Sequence, residues 1–124
     1  MERCPKIVVV EDDDQLCKFM KRIFEHLLID CSVKRSCEEA KKYCVANRVE
    51  FLLVDLNVEH FHDGLQLLEQ MAEIHPEITR ILYTGEDPDD QIQHAIDSGV
   101  VHHFIRKPLH VKDLVEAINV RRQA

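Results

Sequence analysis

The sequence is poor in positive charge and contains no long apolar run. Its 124 residues include 16 Lys plus Arg against 23 Asp plus Glu, which gives a formal net charge of −7. Because such a surface is unsuited to polyanions, we expect no direct contact with nucleic acid and no docking on an anionic membrane. No stretch approaches the length of a transmembrane helix, and the N-terminus lacks the apolar core of a signal peptide. We therefore expect a cytoplasmic protein.

Paired cysteines are also missing. The five cysteines, Cys4, Cys17, Cys31, Cys37 and Cys44, are odd in number, and no two have Cys-x-x-Cys spacing. In a cytoplasmic protein this pattern favours reduced thiols that pack as small apolar side chains.

The apolar pattern predicts one α/β domain that includes residues 1–124. Hydrophobic residues make up 45% of the chain, which is enough for a single full core at this length. We predict strands at 6–10, 29–34, 50–56, 79–84 and 100–106, and helices at 14–27, 36–45, 65–74, 87–99 and 111–120. Strands that alternate with helices over short connections are typical of a doubly wound, five-stranded parallel sheet. We find no internal repeat, low-complexity tract or linker.

The third predicted strand leads into a single carboxylate. Four apolar residues, Phe51 to Val54, run directly into Asp55. An unbroken apolar run of this kind predicts a strand buried on both faces, and open α/β sheets bind ligands at the carboxyl ends of such strands. We interpret Asp55 as a nucleophile toward phosphoryl groups.

Polar residues follow the other predicted strands as well. Glu11 and Asp12 come after the first strand, Thr84 ends the fourth, and Lys107 follows the fifth. Each has an ordinary alternative, such as a helix cap or a solvated loop charge, but all of them meet Asp55 at one edge of the sheet. Like charges gathered there repel one another unless a cation joins them.

Phosphoryl transfer accounts for this set. Two acids beside Asp55 would hold Mg²⁺ through oxygen ligands, with a main-chain carbonyl near Asn57 as a further ligand. Lys107 would pair with the phosphoryl oxygens, and Thr84 would donate a hydrogen bond to them.

Four motifs resemble those of a known family. They are VVED at 9–12, LVD at 53–55, LYTG at 82–85 and FIRKP at 104–108. In this order they resemble the receiver domains of bacterial two-component response regulators, from Lys6 to about Val120. The resemblance implies a flavodoxin-like (βα)5 receiver fold with strand order 2-1-3-4-5.

The resemblance also implies a metal site and a phospho-acceptor. Asp55 would be the acceptor, and Glu11 and Asp12 would bind Mg²⁺, with Asp12 the more direct ligand and Mn²⁺ an alternative ion. The main-chain carbonyl of Asn57 would complete the metal site.

The same resemblance implies which residues respond when Asp55 is phosphorylated. Thr84 and Lys107 would bind the phosphoryl group, and Phe104 occupies the aromatic position that swings inward when Thr84 closes on the phosphate. The bond between Lys107 and Pro108 is expected to be cis. Phosphorylation would alter the surface built from the fourth helix, fifth strand and fifth helix.

The resemblance also implies how long the phosphate persists and which partners the domain has. The second residues after the acceptor and after the switch threonine, Asn57 and Glu86, resemble those of chemotaxis-type receivers, which predicts a phosphorylated lifetime of seconds to minutes. The donor would be a histidine kinase or a histidine phosphotransfer protein. The output domain or downstream protein is unknown, and phosphorylation-dependent dimerisation is one candidate response. The runs RILYTG at 80–85 and FIRKP at 104–108 look most like those of receivers attached to cyclic-dinucleotide phosphodiesterase or similar output domains.

The chain departs from the family's pattern in two places. The segment from Gly99 to Phe104 is one residue longer than in the commonest receivers. The loop between Asp55 and Gly64 also has one residue more than is usual, and it lacks the family's Met-Pro pair. The loop contains His60, Phe61 and His62. A soft-metal or pH-sensing site is one hypothesis for these histidines and for the adjacent pair His102 and His103, against solvated or half-buried side chains.

Two other functions remain as alternatives. A haloacid-dehalogenase-type phosphatase also uses a strand-end Asp, but that family has a second acid two residues on, where this chain has Asn57. A phosphorylation-independent pseudo-receiver would act only as a protein-binding module, although such modules usually lack the acceptor, the acid pair or the lysine. We therefore expect a signalling domain and not a dedicated metabolic enzyme.

Overall fold

A computed structural model of the chain describes residues 5–123, with side chains described through residue 119. Strands and helices alternate along the whole of this range. The strands are β1 (Lys6–Val10), β2 (Asp30–Lys34), β3 (Phe51–Asp55), β4 (Thr79–Thr84) and β5 (His103–Arg106). The helices are α1 (Asp14–His26), α2 (Cys37–Ala46), α3 (Asp63–Ile74), α4 (Asp90–Asp97) and α5 (Val111–Gln123).

The five strands form one parallel sheet in the order β2-β1-β3-β4-β5. Val10 lies opposite Val54, and Asp55 lies opposite Tyr83. The carboxyl ends of β1, β3 and β4 therefore meet at the same edge, which is where the predicted site residues lie. The doubly wound sheet and its strand order are confirmed.

Helices cover both faces of the sheet. Alternate residues of β3 point to opposite sides, so that Leu52 and Val54 join one apolar cluster while Phe51 and Leu53 join the other. The first cluster includes side chains of α2, α3 and α4, and the second includes side chains of α1 and α5. Every residue of β3 is buried, as its apolar run predicts.

Short polar side chains begin three of the helices. Asp13 accepts the main-chain N–H of Leu16 at the start of α1, and Ser36 accepts that of Glu39 at the start of α2. The Ser-x-x-Glu pattern thus marks a true helix start. The fourth helix begins at Asp90, not near residue 87, because Asp89 is its N-cap and accepts from Ile92 at 2.8 Å.

A buried arginine fixes the connection between β4 and β5. The Arg80 side chain donates to the main-chain oxygens of Pro76, Ile78, Gly99 and Val100 at 3.1, 3.0, 3.2 and 2.8 Å. These bonds satisfy a cation that is only 4% exposed. Because the carbonyls of residues 99 and 100 are used in this way, β5 begins at residue 103 and not at 100 as predicted.

The described cysteines, Cys17, Cys31, Cys37 and Cys44, are free thiols. Cys4 lies outside the described residues. None of the helices within residues 5–123 combines the length and the apolar character that crossing a membrane requires.

Candidate functional site

Three carboxylates meet at the carboxyl edge of the sheet. Glu11 follows β1 and is buried, Asp12 is exposed, and Asp55 ends β3 with 9% of its surface exposed. One oxygen from each lies within 4.8 Å of the others. Hard oxygen donors at this spacing suit Mg²⁺, which is held by a few carboxylates and keeps water or phosphate oxygens in its shell. The side chains present therefore fit the ion that the sequence predicts.

Lys107 brings positive charge to these acids. Its ammonium nitrogen lies 3.3 Å from Oδ1 of Asp55 and 3.7 Å from Oε1 of Glu11. The main-chain N–H of Lys107 donates to the carbonyl of Thr84 at 2.9 Å, and the bond to Pro108 is cis. A side chain that begins beyond β5 is thus directed back over the end of β3.

Burial dominates the electrostatics of Asp55. It raises the pKa of the Asp55 carboxyl to about 6, while the positive charge of Lys107 lowers this pKa and the negative charge of Glu11 raises it. At neutral pH most molecules therefore carry an ionised Asp55, held in a region where its charge is poorly solvated. An ionised carboxylate in such a region is stabilised by any cation that approaches it.

Tyr83 completes the inner side of the site. Its hydroxyl donates to Oε1 of Glu11 at 2.7 Å, and its ring centroid lies 4.9 Å from the Lys107 ammonium. In the sequence Tyr83 is only one residue of the LYTG motif, which does not predict this contact. A hydroxyl group inside a largely apolar strand is the feature that could have indicated it.

The side chains of Asn57 and Glu86 are joined above the site. The amide nitrogen of Asn57 donates to Oε2 of Glu86 at 2.7 Å, and its amide oxygen accepts from the main-chain N–H of His62 at 2.6 Å. The main-chain N–H of Glu86 donates to the Thr84 hydroxyl at 3.2 Å. The two residues predicted to set the phosphate lifetime are therefore in direct contact.

The aromatic residue predicted to take part in the switch lies farther along the sheet. Phe104 is half-buried in β5 and packs against the apolar cluster that includes α4. Thr84 is buried at the end of β4. The structure thus places both on the side of the sheet edge that leads from Asp55 toward α4.

The loop before α3 is held by its own hydrogen bonds. The Asp63 carboxylate accepts from the main-chain N–H groups of Val58, Glu59 and His60 at 2.7, 3.0 and 3.1 Å. The loop therefore has a defined shape beside the site, which its unusual length alone does not reveal.

His62 is buried within this loop and Phe61 is exposed. The two rings stack with centroids 3.9 Å apart. Nδ1 of His62 lies 3.1 Å from Oε1 of Gln91, and Nε2 lies 3.4 Å from Oδ2 of Asp89. Within the described part of the chain, no histidine joins a group of three side chains close enough to share a metal ion.

Comparison with known proteins agrees with this architecture. The family model for the response regulator receiver domain matches residues 7–119. The transcriptional regulatory protein ComA of Bacillus subtilis is 29% identical over 98 residues, which cover 77% of this chain and 46% of ComA. The response regulator ArlR of Staphylococcus saprophyticus is 25% identical over 120 residues, covering 95% of this chain and 53% of ArlR.

Solved structures show the same fold. A CheY-like response regulator receiver domain protein from Methanospirillum hungatei superposes with a TM-score of 0.88 at 21% identity, covering 98% of this chain and 95% of that one. At this identity the likeness establishes the fold alone.

The chain spans about half the length of the two curated relatives, and the family match extends over nearly all of its described residues. The chain therefore belongs to the response regulator receiver domain family of two-component systems.

Proposed function

We propose that the domain is a phosphorylation switch whose acceptor is Asp55. The observation that carries this proposal is the position of one buried carboxylate, at a strand end, beside two further acids and 3.3 Å from the ammonium of Lys107. Phosphorylation is a general property of the family to which the chain belongs. No role as a dedicated metabolic enzyme is needed to explain these side chains.

The transfer uses the charges already present. An oxygen of the ionised Asp55 attacks the phosphorus atom, and the bond from phosphorus to the donor nitrogen or oxygen breaks. Lys107 moves from the carboxylate to an oxygen of the arriving phosphoryl group and offsets its charge. The acyl phosphate that forms on Asp55 keeps this contact.

The acids around Asp55 would bind the metal ion. Glu11, Asp12 and Asp55, with the main-chain carbonyl of Asn57, would hold Mg²⁺ or, as an alternative, Mn²⁺. When bound, the ion supplies positive charge that offsets the charge of the phosphoryl group. Glu11 and Asp12 act here as ligands, and neither takes part in bond formation.

The switch acts through β4 and β5. The Thr84 hydroxyl donates to the phosphoryl group, and Phe104 turns inward as Thr84 moves. The surface of α4, β5 and α5 then shifts between two populations. Asn57 and Glu86, joined at 2.7 Å, set how quickly water removes the phosphate, with a lifetime of seconds to minutes.

The phosphoryl donor is a histidine kinase or histidine phosphotransfer protein. For residues 1–124 we propose one receiver domain, cytoplasmic, with no direct contact to nucleic acid or membrane, in keeping with its net charge of −7. Its output partner is a separate domain or protein, and phosphorylation-dependent dimerisation is one response it could drive.

The proposal is tested by comparing two neighbouring acids. Asp12 and Asp13 are both exposed, but the Asp13 carboxylate caps α1, a bond that Asn also makes. With acetyl phosphate as donor, intact-mass analysis should show one added phosphoryl group in the parent with Mg²⁺ and none with EDTA. Asp12→Asn should lower the Mg²⁺-dependent rate by about tenfold or more, whereas Asp13→Asn should match the parent. Equal rates for the two variants would contradict the assigned metal site.

A further inference from the structure

The hydroxyl of Tyr83 is a buried polar group for which the proposed transfer has no use. The side chain is fully buried, and its hydroxyl donates a hydrogen bond to Oε1 of Glu11 at 2.7 Å. The phenol therefore serves as a donor to that carboxylate.

Neutral groups satisfy the Glu11 carboxylate. Its Oε2 accepts from the main-chain N–H groups of Asp12 and Asp13 at 2.9 and 3.3 Å, while Oε1 accepts from Tyr83. A carboxylate that is 1% exposed must find donors inside the protein. Here it finds three without requiring a cation.

Lys107 lies where two carboxylates compete for it. Its ammonium is 3.3 Å from Oδ1 of Asp55 and 3.7 Å from Oε1 of Glu11. The Glu11 oxygen that faces Lys107 is the one that already accepts from Tyr83. Since that bond withdraws negative charge from the oxygen, the attraction of Glu11 for the ammonium is weakened.

We propose that Tyr83 is a positioning residue that keeps Lys107 directed to Asp55 by satisfying Oε1 of Glu11. Without the hydroxyl, Oε1 would be a buried acceptor that has lost its donor, and the Lys107 ammonium lies only 3.7 Å from it. Lys107 would then pair with Glu11 and be withdrawn from Asp55. The effect on phosphorylation rests on the proposed function, but the placement of Lys107 does not.

The test removes the hydroxyl and keeps the ring. Tyr83→Phe is compared with Tyr43→Phe, which deletes the other tyrosine hydroxyl of the chain from a ring that contacts the ammonium groups of Lys6 and Lys34. With acetyl phosphate and saturating Mg²⁺, Tyr83→Phe should lower the phosphorylation rate by about fivefold, and Tyr43→Phe should not.

A double-mutant cycle separates positioning from a general structural effect. If Tyr83 acts through Lys107, Tyr83→Phe should have almost no further effect in a Lys107→Ala background. The same fold-change in both backgrounds would overturn the proposal, because the hydroxyl would then act by another route.

A structure of the metal-free, unphosphorylated variant gives a readout independent of activity. In a crystal structure of Tyr83→Phe, the Lys107 ammonium should lie closer to Oε1 of Glu11 than to Oδ1 of Asp55, the reverse of the parent. Tyr83→Leu, which also lacks the hydroxyl, is the second variant if Tyr83→Phe does not fold. An ammonium that stays nearer to Asp55 overturns the proposal. A parent that takes no phosphate contradicts the proposed function, while these distances still decide the role of Tyr83.

Discussion

A Cβ atom on Gly64 would lie 1.9 Å from the main-chain oxygen of Asp55. The first turn of α3 therefore packs directly on the backbone of Asp55, which only a residue without a side chain allows. The main-chain N–H of Gly64 also donates to the carbonyl of Leu56 at 2.9 Å. The loop after Asp55 thus returns to the strand from which it started.

This contact predicts a strong effect of Gly64→Ala. The added methyl group would displace α3 or the end of β3, and we expect the free energy of unfolding in urea to fall by about 3 kcal/mol. Gly85→Ala is the control, because a Cβ there would meet only the Cβ of Lys107 at 3.9 Å. Similar losses in the two variants would show that α3 does not press on Asp55 as described.

A leucine at the end of α1 holds a left-handed conformation. Leu28 has φ of 58° and is 75% exposed, and its N–H donates to the carbonyl of Glu25. The next residue, Ile29, donates to Phe24, which gives the bond pattern of a glycine-terminated helix.

We therefore expect Leu28→Gly to stabilise the domain. Relief of the left-handed strain outweighs the chain entropy that glycine loses on folding, so the free energy of unfolding should rise by about 0.5–1 kcal/mol. Leu28→Ala keeps the strain and should bring no gain. Thermal and urea denaturation of the three proteins decide this, and an equal gain from alanine would argue against strain.

Arg80 offers a test of the buried contacts that fix the start of β5. Arg80→Lys should lower the free energy of unfolding by about 2–4 kcal/mol, because one ammonium cannot serve four main-chain oxygens. Arg106→Lys, at an exposed arginine paired with Asp87, should change it by less than about 1 kcal/mol. Urea denaturation measures both, and a small loss at Arg80 would mean that water replaces the lost donors.

The raised pKa of Asp55 makes stability depend on pH. A carboxyl with a pKa of about 6 when folded, against an ordinary value of 3.8, binds its proton more tightly in the folded protein, so ionisation opposes folding. In metal-free protein, Asp55→Asn should therefore raise the free energy of unfolding above pH 6, by up to about 3 kcal/mol.

That gain has a defined pH window. It should shrink as the pH falls through 6 and vanish below 3.8, where Asp55 is protonated in both states. Denaturation in EDTA at a series of pH values measures the difference between parent and variant. A gain that grows toward low pH would have the wrong sign for a buried carboxylate.

The sequence predicted the elements that apolar pattern determines. The bounds of β1 and β4 are the same as those predicted, because continuous apolar runs end there at charged or hydroxyl side chains. Because parallel strands share one carboxyl edge, the sequence also predicted which charged side chains meet there, namely Glu11, Asp12, Asp55 and Lys107. The strand order came only with the family resemblance.

Other features depend on contacts between distant parts of the chain. Tyr83 and Glu11 are 72 residues apart, and no local pattern pairs them. Arg80 looked like an ordinary strand residue, although its charge is satisfied by a turn that follows α4. Two features of the loop before α3 are visible only in the folded structure. They are the left-handed conformation of His62 and the three hydrogen bonds that Asp63 accepts.

The most direct test of the account is the location of the added phosphoryl group. The parent and Asp55→Asn are incubated with Mg²⁺ and acetyl phosphate, and each is analysed by intact mass and peptide mapping. We expect one phosphoryl group on Asp55 in the parent, lost within seconds to minutes after donor removal, and none in the variant. A phosphate that persists for many hours would contradict the assigned lifetime. Addition to both proteins, or to neither while Mg²⁺ binds, would contradict Asp55 as acceptor, and the second result would identify the domain as a binding module that works without phosphorylation.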